Sequence, residues 1–276
     1  MKKFSLLFLI LTSIFTLTIS FSHAQIYKKK NVTALLGAFS DEVKLLEQSV
    51  SHKRVRVVHG IPFTTGKLNG RKVVIALTGI GKANAAMTTT LMLQTFRPAQ
   101  VLFTGIAGGL NPALLPGDIV IGKEVTYHDF GYITFQKQAT RQTRNPITNE
   151  FNPADFPADS LLLSLAQQAV DRVTFESSDK ARRAPKVIQG RIVTGDVFVS
   201  SEEKVQQLIA DFGADATEME GATVAQICWQ QQVPCLVIRS LSDKANGSAR
   251  EDMLQFLKIA AQNSAALVKE TVRSIR

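Results

Sequence analysis

Two carboxylates in this chain are spaced so that they could act on one ligand. The run Thr217-Glu218-Met219-Glu220-Gly221-Ala222 sets Glu220 at the start of a helix. Further on, Arg239-Ser240-Leu241-Ser242-Asp243 sets Asp243 just beyond the next apolar strand, Val233–Ile238. In an open α/β sheet, ligands sit at the carboxyl ends of the strands. Acids delivered to that edge by successive elements suit hydroxyl binding by one and proton donation by the other. Taken singly, each reads equally well as a helix N-terminal acid or an exposed loop acid. The elements that carry them must therefore decide.

Those elements alternate. Val32–Phe39 reads as a buried strand, followed by Ser40 as an N-cap and a helix from Asp41 with acids in its first turn. Short strands are expected near Arg54–His59 and Lys72–Leu77, with Gly66 and Asn69-Gly70 as turn residues between them. A helix from Ala83 to about Phe96 and a strand at Ala99–Thr104 follow, then the turn Gly105–Leu110 and a strand at Asp118–Thr126. Residues 136–160, with Pro146, Pro153 and Pro157, read as a long mobile loop. Ser160–Arg172 (helix), Lys186–Val193 (strand), Glu202–Ala210 (helix), Asp215–Glu218 (strand) and a 220–231 helix continue the pattern. A long amphipathic helix from about Arg250 to Ile275 closes it. Such alternation predicts an α/β fold, a three-layer sandwich with a central mixed, mainly parallel sheet flanked by helices.

Glycine turns join strand to helix at Gly79-Ile80-Gly81 and Gly105-Ile106-Ala107-Gly108-Gly109, where backbone N–H groups can approach a ligand oxygen closely. Neither is a phosphate loop, since Gly81-Lys82 lacks the upstream glycine and is followed by Ala83. The dinucleotide fingerprint fails too, with Asn84 at its third glycine position. The four histidines have no metal-ligand spacing, so neither metal nor cofactor is expected. His128 beside Asp129 is read as structural, because adjacent residues on a strand face opposite ways. The two cysteines, Cys228 and Cys235, read as buried thiols rather than a bridge.

The N-terminus reads as a signal peptide over residues 1–24. Lys2-Lys3 precede an apolar stretch from Phe4 to Phe21, and Ser22-His23-Ala24 supplies small residues at the −3 and −1 positions. An uncleaved anchor is the alternative. Cleavage leaves Gln25 at the start, a lead-in over 25–31, and one domain over 32–276. The expected location is periplasmic or secreted, with no membrane attachment once the leader is removed. Lys2 and Lys3 supply two of the formal charge of +9, and the remaining basic residues are scattered without aromatic interleaving. That argues for a solvated basic surface and against nucleic-acid binding.

The chain resembles the nucleoside phosphorylase/nucleosidase superfamily and, more narrowly, its 5′-methylthioadenosine/S-adenosylhomocysteine nucleosidases. The matching segments run in family order. They are Gly37-Ala38-Phe39-Ser40-Asp41-Glu42-Val43, Thr78-Gly79-Ile80-Gly81-Lys82, Thr104 to Gly109, Gly117-Asp118-Ile119-Val120 and Tyr127-His128-Asp129, then Thr194-Gly195-Asp196-Val197-Phe198-Val199, Glu218-Met219-Glu220 and Arg239 to Asp243. The resemblance implies hydrolysis of the N-glycosidic bond of an adenine nucleoside. It implies that Glu42 activates the water and that Asp243, supported by Ser242, protonates purine N7. Glu220 would accept the ribose hydroxyls with Met219 against the sugar, and Arg239 would hold the water and Glu42. Phe198 would stack on adenine while the Val199 backbone reads its edge.

The resemblance further implies a homodimer with a small-molecule nucleoside as substrate. Ile106 stands where bacterial family members often carry Ser, and Met253 where an aromatic often lines the 5′-thioalkyl pocket. Phosphorolysis needs cationic side chains against the ribose. The regions where phosphorylases of the superfamily place arginine read Gly37-Ala38-Phe39-Ser40-Asp41-Glu42 and Val101-Leu102-Phe103-Thr104. Water is therefore the expected nucleophile. The alternatives are a broader exported purine nucleosidase and a catalytically silent nucleoside-binding or storage protein.

Overall fold

The computed structural model describes residues 29–133, 138–140, 142–177 and 183–275. The expected signal peptide and most of the lead-in lie outside them. The first strand, β1 (Lys30–Gly37), pairs in parallel with β4 (Arg71–Leu77) and β5 (Pro98–Phe103). Neighbouring residues on these strands point into opposite cores. Leu35, Ile75 and Leu102 enter one apolar cluster, while Leu36, Val74 and Phe103 enter another. A sheet covered on both faces needs such unbroken apolar strands.

The first cluster is closed by α1 (Ser40–Gln48), α3 (Ser160–Ala169) and α6 (Ala249–Ser274). The second is closed by α2 (Lys82–Phe96) and α5 (Gly221–Gln230). The expected three layers are thus present. The central strand is β13 (Cys235–Asp243), all nine residues of which are buried. It runs parallel to β5 and β6 (Ile106–Gly109) and antiparallel to β7 (Ile119–Tyr127). Because β7 continues through β11 (Val187–Thr194) and β12 (Ala216–Glu218) back to β6, this half of the sheet closes into a ring. α4 (Glu202–Phe212) covers a small third cluster beside it.

Several expectations need correction. Gly66 is not a turn residue but lies in β3 (Ile61–Leu68), which pairs with β2 (Ser51–Val58) and β4. A Cβ there would come within 2.3 Å of Val50, so the glycine serves close packing. The reversals fall at His59-Gly60 and Asn69-Gly70, all at positive φ. Ser40 is the first helical residue, not the cap. Phe39 takes the cap position and donates its N–H to Glu42 at 3.0 Å. Asp243 ends β13 instead of following it.

The 136–160 region contains β9 (Gln138–Thr140) and β10 (Phe156–Pro157), and β9 pairs with β8 (Gly131–Ile133). It also holds a hydrogen-bonded reversal between Arg144 and Phe151, closed by Asn145 N–H to Glu150 O at 2.7 Å. Cys228 and Cys235 are free and buried.

Candidate active site

The carboxyl ends of β1, β5, β11, β12 and β13 converge, and each contributes to one cleft. Glu42, fully buried in the first turn of α1, is anchored by three backbone amides. Ala38 and Phe39 donate to its Oε2 at 2.8 and 3.0 Å, and Ile106 donates to its Oε1 at 3.0 Å. A backbone group makes the last contact, so the isoleucine at 106 leaves the grip on Glu42 intact. Burial raises the Glu42 pKa to about 7, against the opposing pull of the three amides and Arg239. A carboxylate tuned to neutrality is suited to proton abstraction.

Asp243 is 2 % exposed. Ser242 Oγ donates to its Oδ2 and Ala245 N–H to its Oδ1, each at 2.7 Å. Burial pushes its pKa up, with those two hydrogen bonds acting in opposition. Raised affinity for a proton is what a general acid requires. Glu220 precedes α5 and accepts from Gly81 N–H at 2.7 Å, which ties it to the first glycine turn. Its pKa is raised by burial and then by the neighbouring Glu218 carboxylate.

Phe198, Met219, Glu220, Ser242 and Asp243 all line this cleft, whose free volume is only about 60 Å³. Phe198 is half exposed at its mouth, whereas Val199 is buried just behind. The loop that bears them is fastened to the first glycine turn: Asp196 accepts from Lys82 N–H at 2.8 Å, and Lys82 Nζ lies 2.7 Å from Asp129. His128 is buried beside Gly195 and takes no place in the cleft lining.

Arg239 differs from expectation. Its Nη2 pairs with Glu218 at 2.7 Å, not with Glu42, and its Nη1 donates to the carbonyls of Phe103 and Ile238. The guanidinium also lies over the Phe103 ring at 4.1 Å. Breaking such a buried pair by removing one member costs about 3–5 kcal/mol. Glu42 is nevertheless near: a Cβ on Gly105 would sit 3.1 Å from Arg239 Nη1 and 3.2 Å from Glu42 Oε1. The absent side chain lets the backbone at Gly105 pass close to both base and guanidinium.

Sequence reasoning therefore missed Glu218 as a partner, although a charged residue inside the buried strand Cys235–Asp243 signals that a counter-charge must be buried with it. It also missed Thr217, whose buried Oγ1 lacks a hydrogen-bond partner and whose residue faces the cleft. Among the described residues no three His, Cys, Asp or Glu side chains are grouped to hold a metal.

A second and larger groove, about 880 Å³, lies at the other end of β13. It is lined by Phe151, Asn152, Trp229, Gln230 and Cys235 among others, and by none of the site acids. The chemistry sits in the smaller opening.

Residues 32–273 match the model of the phosphorylase superfamily. A 5′-methylthioadenosine/S-adenosylhomocysteine nucleosidase of Psychromonas ingrahamii is 38% identical over 242 residues, covering 87% of this chain and 98% of that protein. The crystal structure of the corresponding nucleosidase from Neisseria meningitidis, in complex with methylthio-immucillin-A, superposes with a TM-score of 0.78. It is 36% identical and covers 89% of this chain and 100% of that one. Helicobacter pylori futalosine hydrolase is similar as well, with a TM-score of 0.74 at 30% identity, covering 89% and 98%. The segments that build the cleft and the match along nearly the whole domain agree: the chain belongs to the phosphorylase superfamily, within its 5′-methylthioadenosine/S-adenosylhomocysteine nucleosidase family.

Proposed function

We propose that this protein hydrolyses the N-glycosidic bond of 5′-methylthioadenosine/S-adenosylhomocysteine-type nucleosides and releases adenine. One observation carries the reading: a buried carboxylate tuned to neutrality, Glu42, and a buried carboxyl with raised proton affinity, Asp243, belong to one converging set of strand ends. Breaking the bond leaves an oxocarbenium-like ribosyl group and a purine anion, which departs poorly unless protonated. Asp243 supplies that proton at N7, oriented by Ser242 and the Ala245 amide. Glu42 takes a proton from water, whose oxygen adds to C1′ of the ribosyl cation, with the Arg239 guanidinium close by. Glu220 accepts the ribose hydroxyls, Met219 packs on the sugar, Phe198 covers the base and the Val199 backbone meets its edge. Water is favoured over phosphate because Arg239, the arginine near Glu42 among the described residues, is already paired with Glu218.

The N-terminal pattern supports export with cleavage before Gln25 and a periplasmic or secreted location. A homodimer is the assembly implied by the resemblance. N-terminal sequencing of protein recovered outside the cytoplasm tests the first, with Met1 as the result against it. Mass measurement in solution tests the second.

The activity is tested by following adenine release from methylthioadenosine with and without phosphate. Release that ignores phosphate and vanishes in Glu42→Gln supports hydrolysis. Dependence on phosphate would make the protein a phosphorylase. Complete inertness, with adenosine and inosine also untouched, would leave a binding or storage protein.

A further inference from the structure

Glu218 is the buried carboxylate to which hydrolysis assigns no task. Its side chain is 3 % exposed, yet it gathers more hydrogen bonds than any other acid of the site. We propose that Glu218 is a positioning residue for the hydrolytic step, holding the Arg239 guanidinium beside Glu42 and capping α5 so that Glu220 is left free for the substrate. This inference deepens the nucleosidase reading and rests on it.

The capping half follows from the helix start. A residue at the N-cap ordinarily turns its own side chain back onto the first amides. Glu220 does not. Gly221 N–H instead donates to both Glu218 oxygens, at 2.9 and 2.7 Å, and Glu220 N–H donates to Glu218 Oε2 at 3.1 Å. Ala222 N–H goes to Thr194 Oγ1 at 2.8 Å, and the Thr194 hydroxyl in turn donates to Glu218 Oε1. With those amides satisfied from β11 and β12, the Glu220 carboxylate points to Gly81 and the cleft.

The second half concerns Arg239. Glu218 holds Nη2, two carbonyls hold Nη1, and the Phe103 ring covers one face. Nε is buried and keeps a donor without a partner. The guanidinium is thereby fixed close to Glu42 while retaining unused hydrogen-bonding capacity. Three carboxylates surround this cation: Glu42 from α1, Glu218 from β12 and Glu220 ahead of α5. Arg239 lowers the proton affinity of Glu42 and of Glu220, and Glu218 raises that of Glu220. Glu218 thus sits against the same guanidinium whose charge favours ionised Glu42.

Glu218→Gln isolates the role, because the amide oxygen can still accept from Gly221 while the negative charge on Arg239 is removed. Adenine release from methylthioadenosine by the full chain is measured across the pH range that brackets the Glu42 titration near 7. The expected result is a loss of kcat on the order of a hundredfold, the scale of a misplaced catalytic group, with KM little changed. The acid limb of kcat/KM should move to lower pH, since an uncompensated Arg239 favours ionised Glu42. Wild-type kcat with an unmoved limb in E218Q would overturn the proposal, leaving an ion pair that serves stability alone.

If the unpaired guanidinium prevents E218Q from folding, Arg239→Lys is compared with the R239K/E218Q double variant, because a buried lysine can shed its proton. Equal kcat in the two supports action through the guanidinium. A further hundredfold loss in the double variant refutes it. A wild-type protein that releases no adenine would sink the nucleosidase reading itself, whereas an active wild type with an unaltered E218Q sinks only the role of Glu218.

Discussion

The two openings at either end of β13 could hardly differ more. The groove near Cys235 is some fifteen times roomier by the cavity volumes, about 880 against 60 Å³, and its rim offers Trp229 and Phe151, both well exposed. The cleft near Asp243 is tight, and its acids are buried, with the Arg239 guanidinium against Glu218. The larger groove lies between the 145–160 segment and α5. Chemistry follows from desolvation, which alters proton affinity only where water is kept out. A search by volume alone would have chosen the wrong end of the molecule.

The contrast can be broken most directly at Asp243. Asp243→Asn keeps the shape, since its amide can still receive the Ala245 N–H and turn its NH₂ to Ser242. Turnover should nevertheless fall by about three orders of magnitude, the middle of the range for a positioned acid, with nucleoside binding largely spared. A variant with ordinary turnover in a steady-state assay would remove Asp243 from the reaction.

Next in size is the pH profile of the wild type. Glu42 must be ionised to act as a base, so kcat/KM should rise with pH toward about 7, and fall again where Asp243 gives up the proton it donates. A profile flat through that region would separate Glu42 from the rate. Phe198→Ala should then raise KM roughly tenfold, the worth of one stacked base, with less effect on kcat.

Stability sharpens the comparison further. Burial raises the folded-state pKa of Asp243, so the native protein holds that proton more tightly than the unfolded chain does. The stability this group provides is complete below its ordinary value of 3.8 and is lost as pH rises through the folded value. An amide in place of this carboxyl mimics the protonated form, so D243N should gain in Tm over the wild type as pH rises, with the difference closing in acid. The smallest effect belongs to the groove. Trp229→Ala should leave adenine release unchanged, and a clear loss of turnover would mean that the two ends of β13 are coupled.

Much of this was legible because the relevant signals are local. Apolar runs located β1, β4, β5 and β13, with a glycine closing β1 and following β5, and amphipathic spacing located α6. Glu220 and Asp243 stood out because each follows or precedes such a run. β3 escaped notice because Pro62 and Gly66 look like turn residues, and only its pairing on both sides makes it a strand. β6 has four residues, three of them Ala or Gly, and exists because β12 and β13 flank it. The closure of β7 onto β13 and the choice of Glu218 as partner for Arg239 are long-range pairings, which no local pattern encodes. Ser40 misled for the opposite reason: its type suits a cap, but Glu42 three positions after the cap already serves Phe39.

The placement of Asp243 on the most enclosed strand carries a consequence for how the protein fails. Fraying of a terminus or surface loop leaves β13 in place, since it is bonded to β5, β6 and β7 at once. Heat inactivation should therefore coincide with loss of the whole domain's cooperative structure rather than precede it.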